Sequence, residues 1–276
     1  MIPMLASHPR TPPSTWAPDQ FHLPPYARRA RQAAARTGSV TAAFAATFDE
    51  AGIAVRATGD DRWRDPAAGL LLVGDHRCRH EFITLCALLA RTGRPSATLI
   101  AKPYSRAARI LSMVGRHDPE TVLPVIPRTL ARDRAGIRTR DLLARLRHRD
   151  ALPTTDELTA LNRHTVTRAS RLISTGRAVV VFPTGGIGNA LTAPWYDGAA
   201  RILGEADGSA LVVLFRCARF SPRGLIRSLN RPGHGGARVI VDIHTMGSVL
   251  EVVRGRRSDP AGITRDLRDR FRSRLG

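Results

Sequence analysis

Apolar and polar positions along the chain change period repeatedly, and the changes mark out its elements. From Ala27 to about Gly52 the apolar residues recur at helical spacing, with a break near Gly38. The first half, ARRARQAAAR, is basic, and the second, SVTAAFAATFDEAG, is apolar on one side. Ile53 to Arg56 reads as a short strand and Asp60 to Pro66 as a turn. Short apolar runs then alternate with helical stretches: strand Gly69–Val73, helix Arg79–Arg91, strand Ala97–Ala101, helix Tyr104–Val114, strand Val122–Ile126. After Pro153, Thr154 or Thr155 can cap a helix of about five turns that Gly176 ends. Val179–Phe182 is a strand running into a glycine-rich turn. Trp195–Glu205 reads as a helix, Leu211–Phe215 and Val239–Ile243 as strands, and Pro260–Leu275 as a charged closing helix.

Such alternation predicts an α/β fold: a mixed, largely parallel central sheet with helices on both faces, preceded by an N-terminal helical segment. Three regions follow, a proline-rich, poorly ordered lead at 1–26, the helical segment at 27–60 and one α/β domain at 61–276. A basic helix beside an apolar one either covers the sheet or suits a membrane surface.

Composition adds a strong positive charge. The 276 residues carry 43 Lys and Arg against 23 Asp and Glu, a net of +20, which implies an acidic partner: a phospholipid surface, an acidic carrier protein, a coenzyme with phosphates, or nucleic acid. Arginines concentrate between Asp133 and Asp150 on an expected helix. No aromatic residues interleave with them, so a single-strand nucleic-acid platform is not expected, and nucleic acid is not the expected partner. Cys78, Cys86 and Cys217 show no metal-ligand spacing and fit a reduced, cytosolic compartment; no metal site is expected. The longest uncharged run, 178–196, holds Pro183, Gly185, Gly186, Gly188 and Pro194, so it cannot span a membrane as a helix. A membrane role would be peripheral, on the cytosolic face.

The candidate chemistry lies in GLLLVGDHRCRHEFITLCALL, 69–89, where an apolar run ends at His76 with Glu81 five positions on. Within one helix that spacing leaves two side chains roughly 140° apart. They meet if His76 precedes the helix, because helical side chains lean toward the N-terminus and Glu81 would point back at the turn. Glu81 would then hold one imidazole nitrogen and leave the other free to take a proton, as in a general base. The simpler alternative is a histidine packed at a helix start and an acid favoured there by the helix dipole. Spacing alone is weak: nine histidines and 23 acids in 276 residues give roughly 0.75 such pairs by chance.

Further motifs follow in order. VLPVIPR ends at Arg128, VVVFPTGGIG spans 179–188, WYDGAARI spans 195–202 and ALVVLF spans 210–215. With the histidine and acid after a strand, this series resembles the glycerolipid acyltransferases, the lysophosphatidic acid acyltransferase group, over about residues 65–220. The resemblance implies transfer of a fatty acyl group from acyl-coenzyme A or acyl carrier protein, used as co-substrate with no bound cofactor, to a hydroxyl of a lipid-like acceptor. It implies His76 as base and Glu81 as its partner. Arg128, Thr184, Gly185, Gly186, Lys102 and Arg106 would contact substrate, and an anionic membrane surface would be a partner. Non-catalytic lipid or nucleic-acid binding on the same scaffold and thioester hydrolysis are the competing functions.

The chain departs from the family's third motif. Thr184 stands where glutamate is usual, Ile187 where arginine is, and Tyr196 and Asp197 where two lysines are. The missing charges are those expected to handle a phosphate-bearing acceptor.

Overall fold

A computed structural model describes residues 22–78, 80–127, 130–131, 153–218, 221–233 and 237–276. Residues 1–21 of the lead, the arginine-rich stretch 133–150 and Arg128 therefore lie outside the described residues, while Pro25 and Tyr26, expected in the poorly ordered lead, belong instead to the first helix.

Two helices open the fold, α1 (Pro25–Thr37) and α2 (Val40–Glu50). They are separated by Gly38 in a left-handed turn, φ 65°, whose N–H caps Ala34, and Ser39 then caps α2 through the N–H of Ala42. Strand β1 (Ala54–Gly59) follows, then β2 (Leu70–Gly74), α3 (Glu81–Ala90), β3 (Ala97–Ala101), α4 (Arg106–Val114) and β4 (Val122–Pro124). Past the gap come α5 (Thr155–Ser174), β5 (Ala178–Val181), α6 (Gly198–Glu205), β6 (Leu211–Ala218), α7 (Pro222–Asn230), β7 (Arg238–Ser248), α8 (Val249–Val253) and α9 (Pro260–Leu275).

Among the described residues the strands form one sheet of seven in the order β1-β7-β6-β2-β5-β3-β4. Strands β6, β2, β5, β3 and β4 run parallel; β7 is antiparallel to β6, and β1 pairs parallel with β7. The fold is thus α/β with a mixed, mostly parallel sheet. Central strands of near-continuous Leu and Val have both faces buried, the reason their apolar runs do not alternate with polar residues.

Successive residues point to opposite faces and so divide the core in two. Leu70, Leu72, Val180, Val213 and Phe215 face the cluster under α1–α4 and α7. Leu71, Val73, Val179, Val181, Val212 and Leu214 face α5, α6, α8 and α9. Helix α1 buries Tyr26, Ala27, Ala30, Ala33 and Ala34 against α2, α4 and α7, leaving Arg28, Arg31 and Arg36 exposed. Residues 27–60 therefore contribute an edge strand and two covering helices to the same core as the rest. No helix among the described residues is long and apolar enough to cross a membrane.

Where strand and helix ends differ from expectation, local chemistry explains it. Helix α3 starts at Glu81 rather than Arg79, because Arg77 and Cys78 give their N–H groups to the Glu81 side chain and stay in the turn. Strand β7 extends to Ser248 because inward positions alternate with half-buried polar ones such as Asp242 and His244. Helices α7 and α8 carry start signals the sequence reading passed over: Ser221 with Pro222 at the first position, and a capping box of Ser248 and Glu251.

Candidate active site

Strands β2, β5, β3 and β4 end at one edge of the sheet, the place where open α/β sheets form their clefts. His76 stands two residues past β2, and the glycine turn follows β5. The two turns are joined directly. Gly188 N–H donates to the His76 carbonyl at 2.7 Å, and the pair forms an isolated antiparallel bridge.

Glu81 is the first residue of α3 and only 2% exposed. Its Oε2 accepts from His76 Nδ1 at 2.8 Å, while Oε1 accepts from the N–H groups of Arg77 at 2.6 Å and Cys78 at 3.0 Å. One carboxylate therefore shapes the turn and orients the imidazole. Burial raises the carboxyl above its ordinary value, opposed by the hydrogen bond and charge of His76 and the two backbone donors. The His76 ring stacks on Phe182, centroids 4.2 Å apart and planes 22° apart, and Phe182 meets Phe215 edge-on at 5.9 Å. Phe215 packs against Gly74, where a Cβ would come within 2.5 Å of its ring, so only glycine fits ahead of the turn.

With Nδ1 engaged, Nε2 has no hydrogen-bond partner among the described residues, and the side chain is 18% exposed. Donation of Nδ1–H to Glu81 selects the tautomer whose Nε2 lone pair is available to a substrate proton.

Asp75, by its position in the sequence a rival partner for the His76 ring or a cap for the following helix, is neither: the ring goes to Glu81 and the helix has no side-chain cap. Strand alternation turns it away from His76 onto the opposite face, where it is 1% exposed. Its Oδ1 accepts from the His76 N–H at 3.1 Å and from the Ala190 N–H at 2.8 Å, and Oδ2 accepts from Arg77 Nε. The carboxylate thus pins the histidine turn to the far end of the glycine loop. Trp195 Nε1–H, donating to Ala190 O at 2.8 Å, and Arg272, donating to Leu191 O, tie the same loop to α9.

Thr184 is buried and donates its hydroxyl to Gly186 O at 2.8 Å. Gly185 has φ 64° and lies under the Tyr196 ring, where a Cβ would come within 2.9 Å. Its N–H is bonded to Phe182 O, as that of Gly188 is to His76 O. These glycine amides hold the loop rather than facing an anion, and the N–H groups of Gly186 and Ile187 remain without a partner among the described residues.

The remaining expected substrate contacts divide. Lys102 directly follows β3, its ammonium 5.9 Å above the Tyr104 ring. Arg106, first residue of α4, is exposed and lies close enough to Tyr26 to oppose the rise, to about 12, that burial imposes on that phenol. Tyr26 in turn meets the His80 ring edge-on at 5.9 Å, which connects Arg106 to the start of α3. Arg128 lies outside the described residues.

Cys78, between the two site residues in sequence, is buried, and its thiol is pushed up to about 12 by burial and then by the Glu81 charge. It stays protonated at neutral pH and is no nucleophile. A groove of about 970 Å3 opens on the opposite face of the sheet, lined by Arg77, Arg216, Asp242 and Thr58 among others. It contains neither His76 nor Glu81. No group of three or more His, Cys, Asp or Glu side chains among the described residues is placed to hold a metal ion.

The chain matches no protein-family model and no curated protein sequence. Its backbone is similar to the crystal structure of the 1-acyl-sn-glycerophosphate (LPA) acyltransferase PlsC from Thermotoga maritima. The TM-score is 0.44 and the identity 12%, covering 90% of this chain and 80% of that one. That likeness is too loose to bear on chemistry, which rests on the residues themselves.

Proposed function

We propose that this protein transfers an acyl group from a thioester, acyl-coenzyme A or acyl carrier protein, to a hydroxyl of a lipid-like acceptor. The observation that carries the reading is the 2.8 Å contact between His76 Nδ1 and a buried Glu81, made beside a glycine turn that is hydrogen-bonded to the same histidine. Order of motifs along the chain supports the choice of reaction, and the geometry supports the choice of base.

The acceptor O–H donates to His76 Nε2 and loses its proton there as the oxygen attacks the thioester carbon. The new C–O bond gives a tetrahedral oxyanion, for which the N–H groups of Gly186 and Ile187 are the candidate donors. The amides of Arg77, Cys78 and His80 are already committed, to Glu81 and to the Cys78 sulfur. Collapse breaks the C–S bond, the imidazolium returns its proton to the thiolate, and ester and free thiol leave. Glu81 holds the tautomer and stabilises the imidazolium; a base so positioned contributes about 10²- to 10⁴-fold. Lys102 and Arg106 offer positive charge to the phosphates of the donor. No covalent enzyme intermediate is required.

The test is thiol release from a long-chain acyl thioester by the wild type and by His76→Ala, with the product identified by mass spectrometry. Ester formation that disappears in a folded variant supports the reading. Unchanged turnover in the variant refutes it, and free acid as the product converts it to hydrolysis.

A further inference from the structure

Resting on the acyltransferase reading, we infer that Phe182 is a positioning residue for the reaction: its ring fixes the plane of the His76 imidazole and stabilises the imidazolium that forms as the acceptor gives up its proton. The imidazole is held along one line by the hydrogen bond from Nδ1 to Glu81 Oε2, 2.8 Å long. A single hydrogen bond leaves a ring free to turn about the bond's own axis, and the Nε2 lone pair sweeps a cone as it turns. The Phe182 ring removes that freedom. It lies 4.2 Å from the imidazole, centroid to centroid, with the two planes 22° apart, so the ring that Glu81 holds by its edge is supported on its face.

Three neighbouring strands build this support. Phe215 on β6 pairs with Gly74 on β2, and Phe182 follows directly on β5, which flanks β2 on its other side. Both side chains turn to the face packed under α1–α4 and α7, and the two rings meet edge-on at 5.9 Å across β2. A Cβ at Gly74 would come within 2.5 Å of the Phe215 ring, so a side chain there would displace it and leave Phe182 without its backing. Phe215 is fully buried; it anchors Phe182, and Phe182 carries the imidazole.

The stack has a second effect, on charge. The face of a phenyl ring is the negative side of its quadrupole and attracts a cation. A histidine acting as base starts neutral and becomes a cation only as Nε2 takes the acceptor proton. The attraction therefore grows toward the transition state and belongs to kcat rather than to substrate affinity.

The experiment measures thiol release from a long-chain acyl-coenzyme A, and in parallel from the same chain on acyl carrier protein, with a lysophosphatidate or a monoacylglycerol as acceptor. Wild type is compared with Phe182→Leu, Phe182→Met and Phe182→Tyr. The two aliphatic variants keep an apolar group under the imidazole and lose the π face, so kcat should fall by roughly tenfold with KM nearly unchanged, the value of a largely desolvated cation–π contact. Phe182→Tyr keeps the face and should stay close to wild type. The carbon-bound protons of the His76 ring, assigned by comparison with His76→Ala, should move downfield in the aliphatic variants as the shielding of the phenyl face is lost. Unmoved resonances, retained kcat in both aliphatic variants, a loss confined to KM, a tyrosine variant as impaired as the leucine one, or unfolding of both aliphatic variants by circular dichroism overturns the inference and leaves acyl transfer intact. Silence of the wild type with both donors and both acceptors overturns acyl transfer itself, and this inference falls with it.

Discussion

The Asp75 carboxylate accepts the backbone N–H of Ala190 at 2.8 Å, a contact between residues 115 positions apart, while the same oxygen accepts the N–H of His76. One buried atom therefore fixes the distance between the imidazole and the loop proposed to hold the oxyanion. Asp75→Ala orphans two buried donors, a loss of about 2 kcal/mol, and frees the loop. Asp75→Asn keeps an oxygen in place and gives up only the charged contact with Arg77. Thiol release should fall steeply in the alanine variant and largely return in the asparagine variant, with hydrogen exchange at Ala190 accelerated in the first alone. Equal activity losses in the two variants would assign the role to the Arg77 ion pair instead.

Glu81→Gln separates orientation from packing. The glutamine oxygen can accept from Arg77 and Cys78, but its NH2 faces Nδ1 and donates. That forces the proton onto Nε2, where a base must be empty. Activity should drop on the order of 10³- to 10⁴-fold, with the imidazole 15N shifts reporting the exchanged tautomer. Stability should move the other way. Burial holds the Glu81 carboxyl above its ordinary 4.5, so the folded protein binds that proton more tightly than the unfolded chain. The contribution of this group is most favourable in acid, declines as pH rises from the ordinary value to the raised one, and stays at its lowest above it. Glutamine does not titrate, so the variant should gain on the wild type in melting temperature between pH 4 and pH 7. A gap that narrows over that range contradicts the burial argument.

Much of this fold can be read from the hydrophobic pattern. Strand β3 and helix α9 fall where the pattern puts them, since an apolar run or an amphipathic stretch is bounded on both sides by breaking residues. The meeting of His76 and Glu81 follows from one local argument, that a helical side chain leans back toward its N-terminus. The partners of Asp75, the Phe182 ring under His76 and the Tyr26–His80 contact join separate segments, and no spacing rule reaches across such distances. Helices α7 and α8 have start signals in the sequence, Ser221 with Pro222 and the Ser248–Glu251 box, but each helix is short and a cap alone does not fix an element.

Arg94 illustrates the same limit. Among 43 basic residues nothing in the sequence distinguishes it, yet it is 3% exposed. It donates to Ala68 O at 2.7 Å, Gly176 O at 3.2 Å and Trp63 O at 3.4 Å, and also to Asp65 O. It staples the turn before β2 to the turn before β5, and both strands lead into the site. Arg94→Ala leaves four carbonyls, that of Trp63 buried and the others at least partly accessible, without this donor and should cost about 2 kcal/mol, measured by urea denaturation. Arg94→Lys should recover only part, because an ammonium cannot reach four carbonyls in one plane.

The position of α1 sets what a membrane could contact. Its apolar face is spent on α2, α4 and α7, and Arg28, Arg31 and Arg36 face outward, so adsorption through this helix would be electrostatic without insertion. Co-sedimentation with vesicles containing anionic lipid should then be strong at low salt and nearly abolished as the Debye length shrinks from about 30 Å at 0.01 M to about 3 Å at 1 M. Charge reversal at Arg28 and Arg31 should weaken binding without touching thiol release from a water-soluble short-chain donor. Binding that survives high salt would mean that an apolar element inserts, and the exposed Ile187 and Tyr196 would be the first groups to replace with serine.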